Sequence, residues 1–218
     1  MSRPTSPSFA SLVQEFFTDY MTRQRSLSPQ TIASYRDSFV LLLRFTEQTM
    51  GKPATAVELS DLQPKFIAGF LDHLERERGN SPRSRNIRLA ALRSFLKFAA
   101  HRDVANLNVI EQALSVPMKR FDRKIVGFLT REQMLAVIDV PTASWLGQRD
   151  HLLLTMMFNT GARVSEIIGL RVADVVLGQV SCVRLHGKGR KQRSLPLWKA
   201  TAREVRDWLR LNPHLEAG

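Results

Sequence analysis

The stretch TGARVSE at residues 160–166 follows an apolar segment, residues 152–158, whose composition is typical of a helix. Gly161 is a natural helix stop, so this helix should end there and a second short helix should begin at Arg163 and run to about residue 170. Glu166, three residues after Arg163, then lies on the same helical face and can hold the guanidinium in place. The stretch therefore predicts two helices with an arginine at the corner between them.

Further along the chain, the stretch GKGRKQR at residues 187–193 predicts the turn of a β-hairpin. One strand is expected at residues 180–185, and the returning strand at residues 194–197. The turn is basic and carries Lys188, which from such a position can swing over a phosphate. An amphipathic helix is expected to follow at residues 198–211.

An arginine and a lysine in these two places suit phosphodiester chemistry. A phosphodiester under attack gains negative charge on its non-bridging oxygens, and an arginine fork binds two such oxygens at once. A lysine adds a second positive charge or gives its proton to a departing alkoxide. Arg163 and Lys188 are therefore the candidate catalytic residues, with Glu166 as a supporting carboxylate. The alternative is an ordinary helix-start ion pair beside a solvated basic loop.

Both stretches resemble those of the tyrosine recombinases, also called phage-type integrases. That family carries Thr-Gly-x-Arg-x-x-Glu, present here at residues 160–166, and Gly-Lys-Gly-x-Lys-x-Arg-x-x-Pro-Leu, present here at residues 187–197. The resemblance implies that Arg163 is the first catalytic arginine and that Lys188 protonates the leaving 5′ oxygen. It further implies DNA cleavage and rejoining through a phosphotyrosine, without a metal or nucleotide cofactor.

Part of the family's active site is missing from the 218 residues. The family continues with a His-x-x-Arg segment, a further His or Trp, and a nucleophilic tyrosine. The only tyrosines here, Tyr20 and Tyr35, lie in predicted N-terminal helices, as does the one His-x-x-Arg match at residues 73–76. We expect a truncated catalytic domain, with no nucleophile present, that is inactive alone. An integrase that needs a further C-terminal segment, and a non-catalytic DNA-binding protein or relic that occupies recombination sites, both stay open.

The formal net charge of +12 predicts a polyanionic partner, most simply double-stranded DNA. No apolar run of spanning length and no signal-peptide pattern is visible, so we expect no membrane partner and a cytoplasmic location. The single Cys182 cannot form an internal disulfide, and no Cys/His cluster has metal spacing. The Gly-Lys-Gly turn is too short for a nucleotide-binding loop, so no cofactor is expected. The family resemblance implies self-association on DNA in the complete proteins.

The N-terminal half shows four apolar stripes at helical spacing. The four predicted helices span residues 9–25, 29–50, about 60–79 and 82–101. Ser28 and Ser81, each followed by a proline, are strong start signals for the second and fourth helices. These helices resemble the small SAM-like core-binding domain that precedes the catalytic domain in the family.

Basic side chains of both halves are candidate DNA contacts. Four arginines crowd the first half of the fourth predicted helix: Arg83, Arg85, Arg88 and Arg93. Phosphate oxygens are favoured near a helix start, so we predict that this cluster contacts DNA, the alternative being a solvated basic face. The predicted hairpin supplies three further DNA-binding candidates: Arg190, Lys191 and Arg193.

The predicted fold is mainly α with a small β-hairpin or sheet. A four-helix core-binding domain precedes an incomplete α+β tyrosine recombinase catalytic domain. The predicted divisions are a polar tail at residues 1–8, a helical DNA-binding domain at 9–115, a basic linker at 116–128 and the catalytic portion at 129–218. In the catalytic portion, Thr130 should cap a helix that ends near Pro141, and residues 148–150 should open the apolar helix that leads to Arg163.

Overall fold

The computed structural model describes residues 6–122, 127–141, 143–187, 189 and 191–214. The chain divides into two compact units, Met1–Lys124 and Ile125–Gly218. The division falls within residues 116–128, which the sequence suggests as a linker. The exact domain limits stay a prediction.

The first unit contains helices and no strand within residues 6–122. Its α-helices are α1 (Phe9–Glu15), α2 (Pro29–Met50), α3 (Pro64–Arg76), α4 (Pro82–Ala100) and α5 (Leu107–Leu114). Helix α1 continues directly into a π-helical segment, Phe16–Gln24. Short 3₁₀ turns connect the helices at Ala54–Ala56, Leu59–Asp61 and Val104–Asn106. The helical character predicted for this half is confirmed.

Helices α2 and α4 begin where the Ser-Pro signals place them. The Thr31 N–H donates to Ser28 Oγ at 3.3 Å, and the Ser84 N–H donates to Ser81 Oγ at 3.2 Å. In each helix the proline takes the first helical position, where a missing N–H costs nothing. Helix α2 ends at Gly51, whose φ of 65° lies in the left-handed region that glycine favours.

The π-helical segment explains how two residues of the first helix reach the core together. Phe16 and Met21 are five residues apart, and both are fully buried. The wider turn follows hydrogen bonds between residues five apart, such as that from the Arg25 N–H to the Tyr20 carbonyl at 2.9 Å. An ordinary α-helix would rotate one of these side chains away from the core.

Two details of the first unit differ from the sequence prediction. Helix α3 begins at Pro64, because Asp61 belongs to the preceding 3₁₀ turn, where its carboxylate accepts from the Glu58 N–H at 2.9 Å and binds Lys52 Nζ at 2.7 Å. Helix α5 was not predicted at all. It is only eight residues long, too short to show a clear stripe, yet Ile110 in this helix is fully buried.

The core of the first unit is rich in aromatic rings. Phe95 of α4 lies 5.5 Å from Phe16, 5.5 Å from Phe9 and 5.2 Å from Phe39 between ring centroids, each pair edge to face. This arrangement is favourable beyond the area that it buries. The apolar stripe predicted for the fourth helix is confirmed, since five of its residues are buried: Leu89, Leu92, Phe95, Leu96 and Ala99.

The second unit combines four α-helices with a small antiparallel sheet in its described ranges. Its elements are α6 (Arg131–Ile138), α7 (Trp145–Thr160), α8 (Val164–Ile167), β1 (Val175–Val176), β2 (Cys182–His186), β3 (Gln192–Pro196) and α9 (Lys199–Leu211). The strand order is β1-β2-β3, and a 3₁₀ turn at Val172–Asp174 precedes β1. In the β2–β3 hairpin, Leu185 pairs with Arg193 and His186 with Gln192. The predicted hairpin is confirmed.

Several boundaries in the second unit shift relative to the prediction. Helix α7 begins at Trp145, one turn earlier than predicted, because the Ser144 hydroxyl caps it by accepting from the Gly147 N–H at 3.2 Å. Helix α8 ends at Ile167 instead of near residue 170. The cap at Thr130 is confirmed: its hydroxyl accepts from the Gln133 N–H at 3.3 Å.

Two kinds of feature are absent from the residues that the structure describes. None of the described helices is both long and apolar enough to cross a membrane. Within the same residues, no three His, Cys, Asp or Glu side chains form a group that could hold a metal ion.

Candidate functional site

The corner between α7 and α8 presents Arg163 to solvent. Helix α7 ends at Gly161, whose φ of 62° reverses the chain and whose N–H donates to the Met157 carbonyl at 2.9 Å. Ala162 is buried and anchors the corner, while its N–H donates to Thr160 Oγ1 at 3.2 Å. Arg163 follows in extended conformation as the residue that caps α8, and its side chain is 72% exposed. The turn therefore fixes the backbone of an arginine whose side chain is accessible.

Glu166 lies directly behind Arg163, as the spacing predicts. Its side chain is only 4% exposed. Glu166 Oε2 accepts from the Arg163 backbone N–H at 2.8 Å, and Oε1 accepts from Arg163 Nη1 at 3.2 Å. A buried carboxylate that bonds both the backbone and the side chain of one residue restrains that residue strongly.

A second arginine, on strand β3, binds the same carboxylate. Arg193 Nη1 donates to Glu166 Oε1 at 3.0 Å, and Arg193 Nη2 donates to Glu166 Oε2 at 2.8 Å. This is the two-bond pairing that the arginine fork makes best. The sequence predicts a DNA contact for Arg193, which stays a prediction, and its ion pair with Glu166 was not foreseen.

Hydrogen bonds from Arg193 and Arg163 favour the ionised form of Glu166. The pKa of the Glu166 carboxyl falls from its ordinary 4.5 to about 2, chiefly because Arg193 donates to it and next because the Arg163 N–H does. The same pair raises the pKa of Arg193. Two cations share one anion, so the cluster of Arg163, Glu166 and Arg193 carries a net charge of +1. A local positive charge of this kind suits a phosphate ligand.

Gly187, where β2 ends, packs closely against this cluster. A Cβ atom at Gly187 would lie 3.1 Å from Glu166 Oε1 and 3.4 Å from Arg193 Nη1, tighter than ordinary contacts. The Gly187 N–H donates to the Lys191 carbonyl at 2.7 Å, which closes the hairpin turn. A glycine therefore lets the hairpin approach the buried carboxylate.

The structure describes only some of the site residues predicted on the hairpin turn. Lys188, the predicted catalytic lysine, and Arg190 lie outside the described residues. Lys191, another predicted DNA contact, is exposed. The convergence of Lys188 and Arg163 on one surface therefore stays a prediction.

A histidine–aspartate pair next to the hairpin turn was missed by sequence reasoning. His186 Nε2 lies 2.9 Å from Asp174 Oδ1, and the aspartate side chain is only 11% exposed. This contact is the main cause that lowers the pKa of Asp174, followed by the hydrogen bond from the Arg171 N–H. The two residues lie on different elements, the 3₁₀ turn and β2, and no motif spacing links them.

The arginines of α4 differ in how far the structure leaves them accessible. Arg83 is exposed and Arg93 is partly exposed. Arg85 is buried, with Nε 3.6 Å from Glu75 Oε2. Arg88 Nη1 donates to the Ser34 carbonyl at 3.1 Å and to Ser38 Oγ at 3.2 Å, which ties α4 to α2. Their predicted DNA contacts are untested, and Arg83 is the most accessible of the four.

Both tyrosines have structural surroundings in the first unit. Tyr20 stacks on Phe16 at 5.8 Å between ring centroids, and its hydroxyl accepts from Arg25 Nη1 at 3.1 Å. Tyr35 is partly buried against the apolar core. Both tyrosines therefore have packing roles in the first unit.

Two family models match the chain, one in each of the two units. Residues 127–217 match the phage integrase family. Residues 14–103 match the SAM-like N-terminal domain of phage integrases. The cluster of Arg163, Glu166 and Arg193 lies within the first of these matches.

Two curated relatives come from Sinorhizobium fredii. The predicted integrase/recombinase y4rC is 42% identical over 204 residues, which are 93% of this chain and 61% of that protein. The predicted integrase/recombinase y4rD is 37% identical over 198 residues, which are 90% of this chain and 70% of that protein. The chain thus spans about three fifths of the length of the first relative.

Among solved structures, the XerH site-specific recombinase in a post-cleavage complex with palindromic difH substrate has a similar fold. The TM-score is 0.62, with 20% sequence identity over 85% of this chain and 54% of that chain. At this identity the likeness concerns the fold alone. The sequence matches, however, extend over both units and include a relative that the chain covers by more than two thirds. The chain belongs to the phage integrase family, the family of the tyrosine recombinases.

Proposed function

We propose that this chain supplies the DNA-binding part and the first phosphate-binding group of a tyrosine recombinase that acts in site-specific DNA recombination. The observation that carries the proposal is the cluster at the α7–α8 corner. Arg163 is exposed, while Glu166 behind it is buried and bonded to both Arg163 and Arg193. An arginine held at its base and open at its tip is suited to bind a phosphate from outside the protein.

In the proposed reaction, Arg163 binds the non-bridging oxygens of the scissile phosphate. Negative charge grows on these oxygens as the phosphate is attacked, and a fixed positive group stabilises that change most. Lys188 gives its proton to the leaving 5′ oxygen. The attacking tyrosine and the second arginine of the family's site are not among these 218 residues, so a covalent 3′-phosphotyrosyl step needs a further polypeptide segment.

The DNA-binding part of the proposal is supported by charge and by the related structure. The chain has a formal net charge of +12, which favours a polyanion. XerH, whose fold is similar, was solved bound to its difH substrate. Arg83 on α4, Lys191 on the hairpin turn and Arg163 are exposed cations that are available to phosphates. Self-association on DNA, as the family implies, is part of the same proposal.

A salt titration of DNA binding tests this part. The affinity of the full chain for a labelled linear duplex should fall by roughly 10³ or more between low and moderate salt, as expected for six or more phosphate contacts. Arg83→Gln should weaken binding and flatten the salt dependence. Arg23→Gln is the matched control, because Arg23 is also a highly exposed arginine of the first unit. Binding that does not respond to salt would contradict the proposal.

A second function, a non-catalytic DNA-binding protein that occupies recombination sites, is favoured by the packing of both tyrosines in the first unit. The two functions can be distinguished with a nicked suicide substrate, which traps a covalent adduct. The DNA site in this substrate is first chosen by binding selection. The chain alone should form no covalent adduct. An adduct that appears when a C-terminal fragment carrying His-x-x-Arg and a tyrosine is added would support the recombinase. DNA binding without any adduct in that mixture would support the non-catalytic protein.

A further inference from the structure

Both oxygens of the Glu166 carboxylate are fully bonded, and Arg193 supplies half of these hydrogen bonds. Each of its oxygens accepts two hydrogen bonds, and Arg193 supplies one to each oxygen through its two Nη atoms. Arg163 supplies its backbone N–H and a single, longer bond from Nη1 at 3.2 Å. Among the described residues, nothing bonds Nε or Nη2 of Arg163. Most of the Arg163 donors are therefore open.

We propose that Arg193 is a positioning residue for Arg163 and acts through Glu166. Arg193 occupies Glu166 with both arms of its guanidinium, which leaves the other donors of Arg163 pointing away from the carboxylate and ready for a phosphate. The identity of that ligand rests on the function proposed above. The role differs from the direct DNA contact that the sequence predicts for Arg193.

The argument follows from what Glu166 would do without Arg193. A buried carboxylate that loses two charge-assisted bonds must find another cation or take up a proton. Among the described residues, Arg163 is the nearest remaining cation, since it already touches Oε1. Its exposed side chain can turn toward Glu166 and form the two-bond pair itself. The Arg163 N–H groups that a phosphate needs would then donate to Glu166 instead.

The structure also explains why Glu166 cannot avoid this competition by moving. Its side chain is 4% exposed, and the hairpin packs so closely beside it that a Cβ atom at Gly187 would lie only 3.1 Å from Oε1. The backbone N–H of Arg163 holds Oε2 at 2.8 Å. The carboxylate therefore stays at the base of Arg163, and the occupancy of its other bonding positions decides how Arg163 points.

A double-mutant cycle on duplex DNA distinguishes positioning from direct contact. Arg163→Gln and Arg193→Gln should each weaken binding at low salt by roughly tenfold, as expected for loss of a charge-assisted bond. If Arg193 acts through Arg163, the double variant should bind no more weakly than Arg163→Gln alone. If the double variant loses affinity by the product of the two single losses, the proposal is overturned. Arg184→Gln, on the neighbouring strand β2, is the control for loss of one charge. It should weaken DNA binding by the same small factor in the wild-type chain and in Arg163→Gln.

A readout without DNA keeps this inference separate from the proposed function. Selective labelling of arginine side chains gives guanidinium NMR signals that report their bonding. In Arg193→Gln the Arg163 signals should shift to those of a paired guanidinium, and in Arg193→Lys, which keeps the charge but not the fork, the shift should be partial. Unchanged Arg163 signals in both variants would overturn the proposal. If these signals shift while no variant or wild-type chain binds DNA, the positioning role holds and the proposed function fails.

Discussion

The interiors of the two units are stabilised in different ways. In the first unit, rings from several helices meet in one apolar core, with Phe16, Phe70 and Phe95 fully buried. In the second unit, the buried cluster is small and centres on Val183 and Leu185 of the sheet. Large apolar side chains of this unit stay exposed, most of them in loops and turns: Phe128, Val140, Trp145, Leu146, Ile168, Val180 and Trp198.

This contrast links stability to function. The first unit resembles an independent domain whose apolar burial fixes its helices, and on that frame α4 carries its basic face. The second unit relies more on polar pairs, above all Glu166 with its two arginines, which shape the candidate site. A weakly buried unit should unfold first, and its site should be sensitive to changes in charge.

The largest effect is expected in the aromatic core. Phe95→Ala should lower the free energy of unfolding of the first unit by about 3–5 kcal/mol, because it removes a fully buried ring and leaves a cavity. Hydrogen exchange resolves the first unit from the second. The control Ile87→Ala lies on the same helix but is 44% exposed, and it should change stability by less than about 0.5 kcal/mol. Equal effects of the two variants would refute the core described here.

A smaller effect is expected in the sheet of the second unit. Leu185→Ala should cost about 2–3 kcal/mol, because Leu185 is fully buried within a smaller cluster. All three tryptophans, Trp145, Trp198 and Trp208, lie in the second unit, so their fluorescence in urea reports this unit alone. Val176→Ala, on the exposed edge strand β1, is the control. A loss that also appears in the first unit's exchange rates would break the two-unit comparison.

Acid should weaken the second unit through Glu166. Its pKa is about 2 when folded, against an ordinary value of 4.5, so the unfolded chain takes up the proton first. The stabilisation is fully present above about pH 5 and is lost as the pH falls toward 2. Glu166→Gln should flatten this dependence of the tryptophan-monitored transition. The slope that remains is expected from Asp174 and Glu132, whose pKa values are also lowered.

The smallest effect concerns the start of α4. Ser81→Ala removes the side chain that caps the helix and should cost about 1 kcal/mol. Ser94→Ala, in the middle of the same helix, should be neutral or slightly stabilising, because alanine has the higher helix propensity. Denaturant unfolding followed by exchange in the first unit compares the two. No loss of stability from Ser81→Ala would mean that the cap contributes nothing.

The sequence predicts local structure well where one residue type has one physical role. The Ser-Pro pairs at residues 28 and 81 set helix starts, and Gly161 sets the corner before Arg163, all as found. Helix α5 was missed because its burial depends on contacts with other helices, such as α4, and its own pattern is too short. The π-helical segment was missed because most apolar residues of this stretch also suit an α-helix, and only the burial of Met21, five residues after Phe16, shows the wider turn.

In the candidate site, only the contact between residues close in sequence was predictable. Arg163 and Glu166 lie three residues apart, and their contact follows from helical spacing. The pairing of Arg193 with Glu166 and of His186 with Asp174 joins residues 27 and 12 positions apart. Such contacts depend on how the hairpin packs, which charge and spacing in one sequence do not determine.

The most direct test of the account is the binding of duplex DNA by Arg163→Lys and Arg163→Gln, measured by fluorescence anisotropy across a salt series. Arg163→Lys keeps the charge but loses the fork, so it should bind several-fold more weakly with an unchanged salt slope. Arg163→Gln should bind more weakly still, and its slope should be smaller by about one. If both variants bind DNA like the wild-type chain at every salt concentration, Arg163 does not bind a phosphate.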